Sequence, residues 1–337
     1  MTIHTGISIL ASILPVLVFL FALIILDSFK LVRFVSVTSA IGAGFIAALA
    51  CYFINSRLMT AFEWNGGSYY RFAAPLIEET VKTAYIVYLL HSKRIGFFVD
   101  AAIYGFALGA GFAIIENLQC ITLMPGATVF IWIIRGFGTA VMHGGATALF
   151  AVLSRLLIDR RESENVALLL PGLLFAIIIH SAYNHFFLSP ALSAAGVMLL
   201  LPLVMLLIFY RSERSLRSWL GISFDTDQEL YEMLTTGDIT ESKVGRYLIS
   251  LKDHFPGEVM ADMFCMLRLH LELSIRAKGI LLMRESGFES PPDPQVKETF
   301  QELEFLEKSV GKTGRLAVMP LLRWSSRDLW QLYMLGK

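Results

Sequence analysis

A short stretch of the chain, PLIEETVKTAY at residues 75–85, carries three charged side chains inside an otherwise apolar segment. They are Glu78, Glu79 and Lys82. Each charge at the centre of a bilayer costs about 2.5–3.5 kcal/mol on insertion scales, so a cluster of three calls for a reason. Glu78 and Lys82 are four residues apart and can pair on one helix face, whereas Glu79 points about 100° away. The pattern therefore predicts at least one carboxylate that this pair does not neutralise.

Three later apolar segments carry polar side chains at a similar depth. Glu116 lies in GFAIIEN, His143 in VMHGGAT, and His180 with Asn184 in IIIHSAYNH. At about 1.5 Å per residue, the carboxylates and histidines each lie roughly 10–12 Å from the outer end of their segment. Four helices thus present ionisable groups at one level. We expect these groups, with the two glutamates of the first segment, to form a buried polar site reached from the outer side.

This set of side chains suits hydrolysis of an amide bond. One of the two adjacent glutamates of the first segment can take a proton from water and later return it to the leaving amine. Two histidines and a carboxylate match a catalytic zinc with one open position, which predicts Glu116, His143 and His180 as ligands. Asn184 is four residues from His180, on the same face, and can donate to a developing oxyanion. The residues leave two routes open, one assisted by zinc and one that is metal-independent with glutamate as the base.

The charged residues are unevenly distributed along the 337-residue chain. Residues 1–210 hold 20 of the 56 charged side chains, and residues 211–337 hold the other 36. This contrast predicts a transmembrane domain at 1–210, which carries the candidate protease site, and a helical cytoplasmic region at 211–337. The net charge is zero, which argues against a nucleic-acid partner. The three cysteines are far apart and predict neither a disulfide framework nor a thiolate metal site.

The apolar segments predict the fold class and the orientation. Seven segments are long enough to cross a lipid bilayer, and Lys and Arg are concentrated in alternate loops, so the N-terminus is expected outside and the C-terminus in the cytoplasm. Trp132 and Arg135 are expected to anchor the fifth segment at the outer interface. The predicted fold is an all-α polytopic membrane helix bundle with about seven transmembrane helices plus a helical cytoplasmic C-terminal region. The predicted segments are 7–27, 34–54, 72–91, 97–122, 136–154, 166–188 and 191–210.

Four short motifs give the chain a resemblance to a known family. EETVK at 78–82 is similar to an EExxK element, and VDAAIYGFALGAGFAIIEN ends in an FxxxE element at Glu116. HGGAT at 143–147 and HSAYN at 180–184 are similar to two histidine elements. In this order, over roughly residues 70–190, they resemble the PrsW family of intramembrane proteases, which is related to the CAAX prenyl protease and bacteriocin-processing superfamily.

The resemblance implies an intramembrane endopeptidase whose site holds the three glutamates and two histidines. It also implies membrane-anchored protein substrates, with an anti-sigma factor as one candidate, and a location in a bacterial inner membrane. Some members carry aspartate where this chain has Asn184. The motifs fit a metalloprotease and a metal-independent glutamate protease equally, because both use the same residues.

Two functions from other classes compete with proteolysis. Glutamate and histidine on facing helices also form proton relays, so a proton- or metal-ion-coupled transporter is the main alternative. Transporters usually show inverted repeats and broken helices in both halves, and this sequence has no such symmetry. A non-catalytic membrane scaffold is the third reading, and it leaves the intramembrane charges unexplained.

Overall fold

The chain is helical, without a strand, throughout the part that the computed structural model describes. That part comprises residues 3–64, 66–161, 163, 165–237, 239, 242–288, 294–321 and 335. Two compact units divide the chain, Met1–Ser212 and Glu213–Lys337. The long helices that begin in the first unit are α1 (Ile3–Ile25), α2 (Phe34–Phe62), α3 (Ala74–His91), α4 (Phe98–Leu123), α5 (Val141–Arg161), α6 (Leu170–Asn184) and α7 (Pro190–Thr236).

Within the part of the chain that the structure describes, six helical segments are long and apolar enough to cross a membrane, which confirms an all-α polytopic bundle. The predicted seventh, α3, is an 18-residue helix, but three charged side chains within five residues keep it outside this apolar set. Its charged groups face the protein, since Glu79 and Lys82 are almost fully buried. The six apolar segments are Ile3–Ile25, Phe34–Phe62, Phe98–Leu123, Val129–Arg161, Val166–Asn184 and Pro190–Thr236.

The fifth predicted span begins earlier than expected. A continuous helical segment runs from Val129 to Arg161 and includes a π-helix at Arg135–Ala140. Trp132 is only 1% exposed, and the Arg135 guanidinium pairs with a carboxylate inside the unit, so the expected anchoring of these two side chains at the outer interface is wrong. Hydropathy alone could not find this partner, because it lies on another helix.

Helix α4 lies at the centre of the first unit because its glycines allow backbone contact on two sides. A Cβ at Gly105 would lie 2.7 Å from the Cα of Ala148 on α5. A Cβ at Gly109 would collide with the carbonyl oxygen of His143, also on α5. A Cβ at Gly111 would meet the backbone of α2. Small residues at these positions therefore fix how close α4 sits to the helix that carries His143.

The second unit has its own apolar core. It contains the C-terminal part of α7 together with α8 (Lys243–Leu251), α9 (Gly257–Glu285) and α10 (Pro294–Val318). Met263, Leu267 and Leu273 of α9 are fully buried in this core. Its helical character agrees with the sequence pattern, while its cytoplasmic location stays a prediction. The assignment of residues 1–210 as the protease domain likewise stays a prediction.

Candidate active site

The entrance to α3 is a π-helix at Tyr69–Ala73, directly ahead of the helix that carries the paired glutamates. π-Helical turns leave backbone carbonyls outside the regular α-helical ladder. Here the carbonyl of Tyr70 accepts a hydrogen bond from Asn184 Nδ2 at 2.9 Å, and the carbonyl of Arg71 accepts one from Ser181 Oγ at 2.6 Å. The end of α6 is thereby attached to the start of α3, which brings His180 to the level of the glutamates.

Glu79 is the most enclosed carboxylate of the site. Its Oε1 accepts from Lys82 Nζ at 2.6 Å and from His180 Nδ1 at 2.7 Å, and both partners are buried with it. The pairing expected from the sequence, Glu78 with Lys82, is therefore replaced by the i,i+3 pair. The Glu79 carboxylate can only accept a hydrogen bond, so Nδ1 of His180 is the donor and carries the ring proton. The lone pair of the neutral ring therefore lies on Nε2.

His143 stands between a lysine and a carboxylate. Its Nδ1 is 3.2 Å from Lys82 Nζ, and its Nε2 is 2.7 Å from Glu116 Oε2. The Lys82 ammonium can only donate, so Nδ1 of His143 accepts with its lone pair. The proton of the neutral ring therefore lies on Nε2. The rings of His143 and His180 meet edge to face, with centroids 4.6 Å apart. The two imidazoles therefore border the same small volume with their Nε2 atoms.

Glu116 has one oxygen held and one oxygen spare. Arg135 Nη2 donates to Oε1 at 2.8 Å, while Arg135 Nε donates to Asn117 Oδ1 at 2.9 Å. Asn117 Nδ2 in turn donates to the carbonyl of Ser12 on α1 at 2.9 Å. Glu116 Oε2 is buried and, among the described residues, has no hydrogen bond of good geometry despite its closeness to His143. Its remaining capacity points toward the imidazoles.

Glu78 shows the same division between its two oxygens. Asn55 Nδ2 on α2 donates to Oε1 at 3.1 Å, and the Tyr69 hydroxyl donates to Asn55 Oδ1 at 2.8 Å. Oε2 lies 3.9 Å from His180 Nε2. Sequence reasoning missed Asn55 and Tyr69. The available signal was an amide side chain at the end of an apolar segment, which alone does not reveal its partner.

The donor set fits a metal ion. Glu78, His143 and His180 each offer a ligand atom, and these atoms all lie within 4.8 Å of one another. The predicted ligand set had Glu116 in the place of Glu78. Arg135 holds Oε1 of Glu116 by a hydrogen bond, and Oε2 of Glu116 lies beside His143. The lone pair on His180 Nε2 is ready for a metal, and at His143 the Nε2 proton must leave, as is usual when a metal binds.

The structure brings together five of the six predicted catalytic residues. Asn184 is the exception, since its amide donates to the Tyr70 carbonyl and holds the π-helical entrance instead of facing the histidines. The function of each residue stays a prediction. The five that converge are Glu78, Glu79, Glu116, His143 and His180.

Comparison with known proteins identifies one family. Residues 29–210, more than half of the chain, match the family described as PrsW family intramembrane metalloprotease. The matched range covers every residue of the converging cluster. No curated protein and no solved structure matches the chain.

Proposed function

Because the chain belongs to the PrsW family of intramembrane metalloproteases, we propose that it hydrolyses peptide bonds of membrane-anchored proteins at the cluster around His143 and His180. One observation carries the proposal: ligand atoms of Glu78, His143 and His180, on three different helices, lie within 4.8 Å of one another. Ionisable groups inside a membrane are costly, and such convergence is typical of a working site. Family membership favours this reading over the transporter and the scaffold.

We further propose zinc as the cofactor. His143 Nε2, His180 Nε2 and Glu78 Oε2 are the proposed ligands, since three nitrogen and oxygen donors with an open position are typical of catalytic zinc. When bound there, zinc would polarise water and the scissile carbonyl. Glu79 orients His180 by accepting a hydrogen bond from Nδ1, and a metal-ligating histidine usually donates its other ring N–H to such a carboxylate.

Glu116 is the proposed base. Its Oε2 takes a proton from the attacking water, while Arg135 keeps Oε1 fixed. The water oxygen bonds to the carbonyl carbon, the carbon–nitrogen bond breaks, and the proton held on Oε2 passes to the leaving amine nitrogen. Lys82 stays paired with Glu79 and takes no part in the proton transfer. This assignment refines the expectation that the paired glutamates supply the base.

The first test uses the full chain, purified and reconstituted in liposomes with single-span membrane proteins tagged at both ends, an anti-sigma factor among them. We expect the wild-type protein to release a tagged fragment whose new terminus, mapped by mass spectrometry, lies in or next to the membrane segment. Glu78→Gln should release none. Absence of cleavage of every substrate, together with proton flux that Glu78→Gln abolishes, would favour the transporter instead.

The orientation is a separate proposal, which rests on the charges of the loops. The N-terminus lies outside, residues 211–337 lie in the cytoplasm of a bacterial cell, and the site opens in the outer half of the inner membrane. A cysteine placed at Pro125 should react with an impermeant reagent in intact cells, and one placed just beyond Arg217 should not. Labelling beyond Arg217 alone would invert the topology. A second outer position near Asn65 lies outside the described residues.

A further inference from the structure

The proposed reaction leaves a partly buried chain of hydrogen bonds without a role. It runs from Tyr69 through Asn55 to Glu78 and joins α2 to the π-helical entrance of α3. Tyr69 is fully buried, and its ring packs edge-on against Trp64 with centroids 5.6 Å apart. Asn55 comes from a helix that carries none of the four motifs. The Asn55 amide is an uncharged hydrogen-bond donor that a separate helix brings to a carboxylate of the site. Such a donor is a candidate for positioning that carboxylate.

The hydrogen bonds fix which way the Asn55 amide faces. With Oδ1 accepting from the Tyr69 hydroxyl, Nδ2 faces Glu78 Oε1. The reversed amide would turn Oδ1 toward the carboxylate and set two acceptors against each other. The Glu78 carboxylate, which can only accept, therefore sets the amide orientation, and the Tyr69 hydroxyl holds that amide by donating to Oδ1.

The consequence lies in the other oxygen of Glu78. A glutamate side chain has several rotatable bonds, and without a tether either oxygen can face the histidines. With Oε1 held by Asn55, Oε2 is the oxygen that faces His180 Nε2, at 3.9 Å. Arg135 does the same for Glu116, holding Oε1 and leaving Oε2 toward His143. Both carboxylates thus have one oxygen held by a donor from outside the motifs.

We infer that Asn55, held in place by Tyr69, is a positioning residue that presents Glu78 Oε2 to the metal and the reacting groups. The inference rests on the proposed function, in which Glu78 is a ligand. Carboxylate ligands are generally held by such outer hydrogen bonds, and loss of an outer partner typically costs about 10–100-fold in metal affinity or activity.

The test compares the full-length wild type with Asn55→Asp and Asn55→Leu, purified in detergent. Both variants are close to asparagine in size, and both lack the amide donor. We expect the affinity for Co²⁺, followed by its visible absorption after removal of bound metal, to fall about 10–100-fold. We expect kcat for the tagged single-span substrate to fall by a similar factor with KM changed less than about 3-fold. Asn55→Asp should be the more impaired, since it sets a carboxylate against Glu78.

A matched tyrosine pair supplies the control. Tyr69→Phe removes the hydroxyl that donates to Asn55 Oδ1 and should lower Co²⁺ affinity by about 5-fold, the size of one hydrogen bond. Tyr70→Phe removes the neighbouring, exposed hydroxyl and leaves the Tyr70 carbonyl in place for Asn184. It should match the wild type in affinity, kcat and melting temperature.

Each result decides something different. Wild-type affinity and kcat in Asn55→Asp would overturn the positioning role and leave the proposed function intact, as would a loss confined to melting temperature. A wild type that cleaves substrate but takes up no Co²⁺ would remove the zinc proposal, and the split between kcat and KM would still decide for or against Asn55. A wild type that neither cleaves nor binds Co²⁺ would overturn both proposals.

Discussion

Two buried lysines, one in each compact unit, show what separates a structural charge from a candidate site. Lys82 pairs with Glu79, and Lys278 pairs with Asp227; both lysine side chains have no exposed surface. Each ammonium also lies over an aromatic ring, 4.8 Å from the centroid of Phe112 and 5.3 Å from that of Trp219. The two lysines are equivalent in burial and charge, and their partners differ modestly, with Glu79 1% and Asp227 15% exposed.

The difference lies in what remains after pairing. Lys278 also donates to the carbonyl and hydroxyl of Ser223, and the Ser274 hydroxyl donates to the same Asp227 oxygen, so the three ammonium hydrogens are used within the cluster on oxygen acceptors. Around Lys82 the carboxylates of Glu78 and Glu116 each keep an oxygen directed at an imidazole. Unused capacity that converges on one volume, more than a buried charge, marks the place where chemistry is expected.

The largest expected effect separates ligand from base within the first cluster. Glu78→Gln and Glu116→Gln should each lower kcat by about 10³-fold or more, because neither amide can take up a proton or serve as an anionic ligand. Co²⁺ binding to the purified protein distinguishes them: Glu78→Gln should lose it and Glu116→Gln should keep it. The reverse result would exchange the two roles and restore the ligand set predicted from the sequence.

The second prediction breaks the equivalence of the lysines. Lys82→Met leaves the buried Glu79 carboxylate without its partner and should lower stability by about 3–5 kcal/mol, whereas Lys278→Met should cost less because Asp227 is partly exposed. Only Lys82→Met should also abolish cleavage by the molecules that remain folded, measured as kcat per folded protein. Adding Asp227→Leu to Lys278→Met should restore most of the lost stability, since a buried ion pair can be replaced by apolar groups. A low kcat in the Lys278→Met, Asp227→Leu double variant would instead show that the Lys278 cluster contributes to catalysis.

A third, smaller effect concerns the packing behind His143. Gly109→Ala places a methyl group against the His143 carbonyl and should destabilise the first unit by about 1–3 kcal/mol through overpacking. Gly196→Ala, in α7 with nothing within 4 Å of the added Cβ, is the matched control and should be neutral or slightly stabilising. Thermal unfolding in detergent, with Co²⁺ affinity alongside, measures both. Equal melting temperatures for the two variants would contradict the close contact of α4 with α5.

The smallest expected effect is a pH dependence of the second unit. Burial lowers the pKa of His270 from 6.5 to about 4, with Asp227 opposing the shift and Lys278 adding to it. The neutral ring is favoured in the folded unit, so stability is complete above the unfolded pKa and is lost as pH falls from 6.5 toward 4. Between about pH 7 and pH 5.5 the loss should be about 1 kcal/mol. Hydrogen exchange in α9, corrected for intrinsic rates, should show it in the wild type and not in His270→Leu.

The sequence predicted the convergence of Glu116, His143 and His180 because helix rise converts residue number into depth. That conversion needs no knowledge of which helices are neighbours. Predicting the hydrogen-bond partner of each group does require knowing which helices are neighbours. Spacing predicted Glu78 as the partner of Lys82, but the partner is Glu79, because His180 shares the Glu79 carboxylate and a donor on α2 holds Glu78. Arg135 was visible in the sequence, but its partner was set by the packing of α4.

The π-helix at Tyr69–Ala73 gives the glutamate helix one residue more than a regular α-helix would need over the same length. In evolutionary terms it is equivalent to a single-residue insertion just ahead of the EETVK motif. Removing one residue there would wind the segment into a regular helix and rotate the preceding chain by about 100° relative to Glu78 and Glu79. Tyr69 would then leave Asn55, and the carbonyls that now accept from Ser181 and Asn184 would return to the helix. A deletion of one amino acid at this point, far smaller than most loop changes, would therefore detach two helices from the site at once.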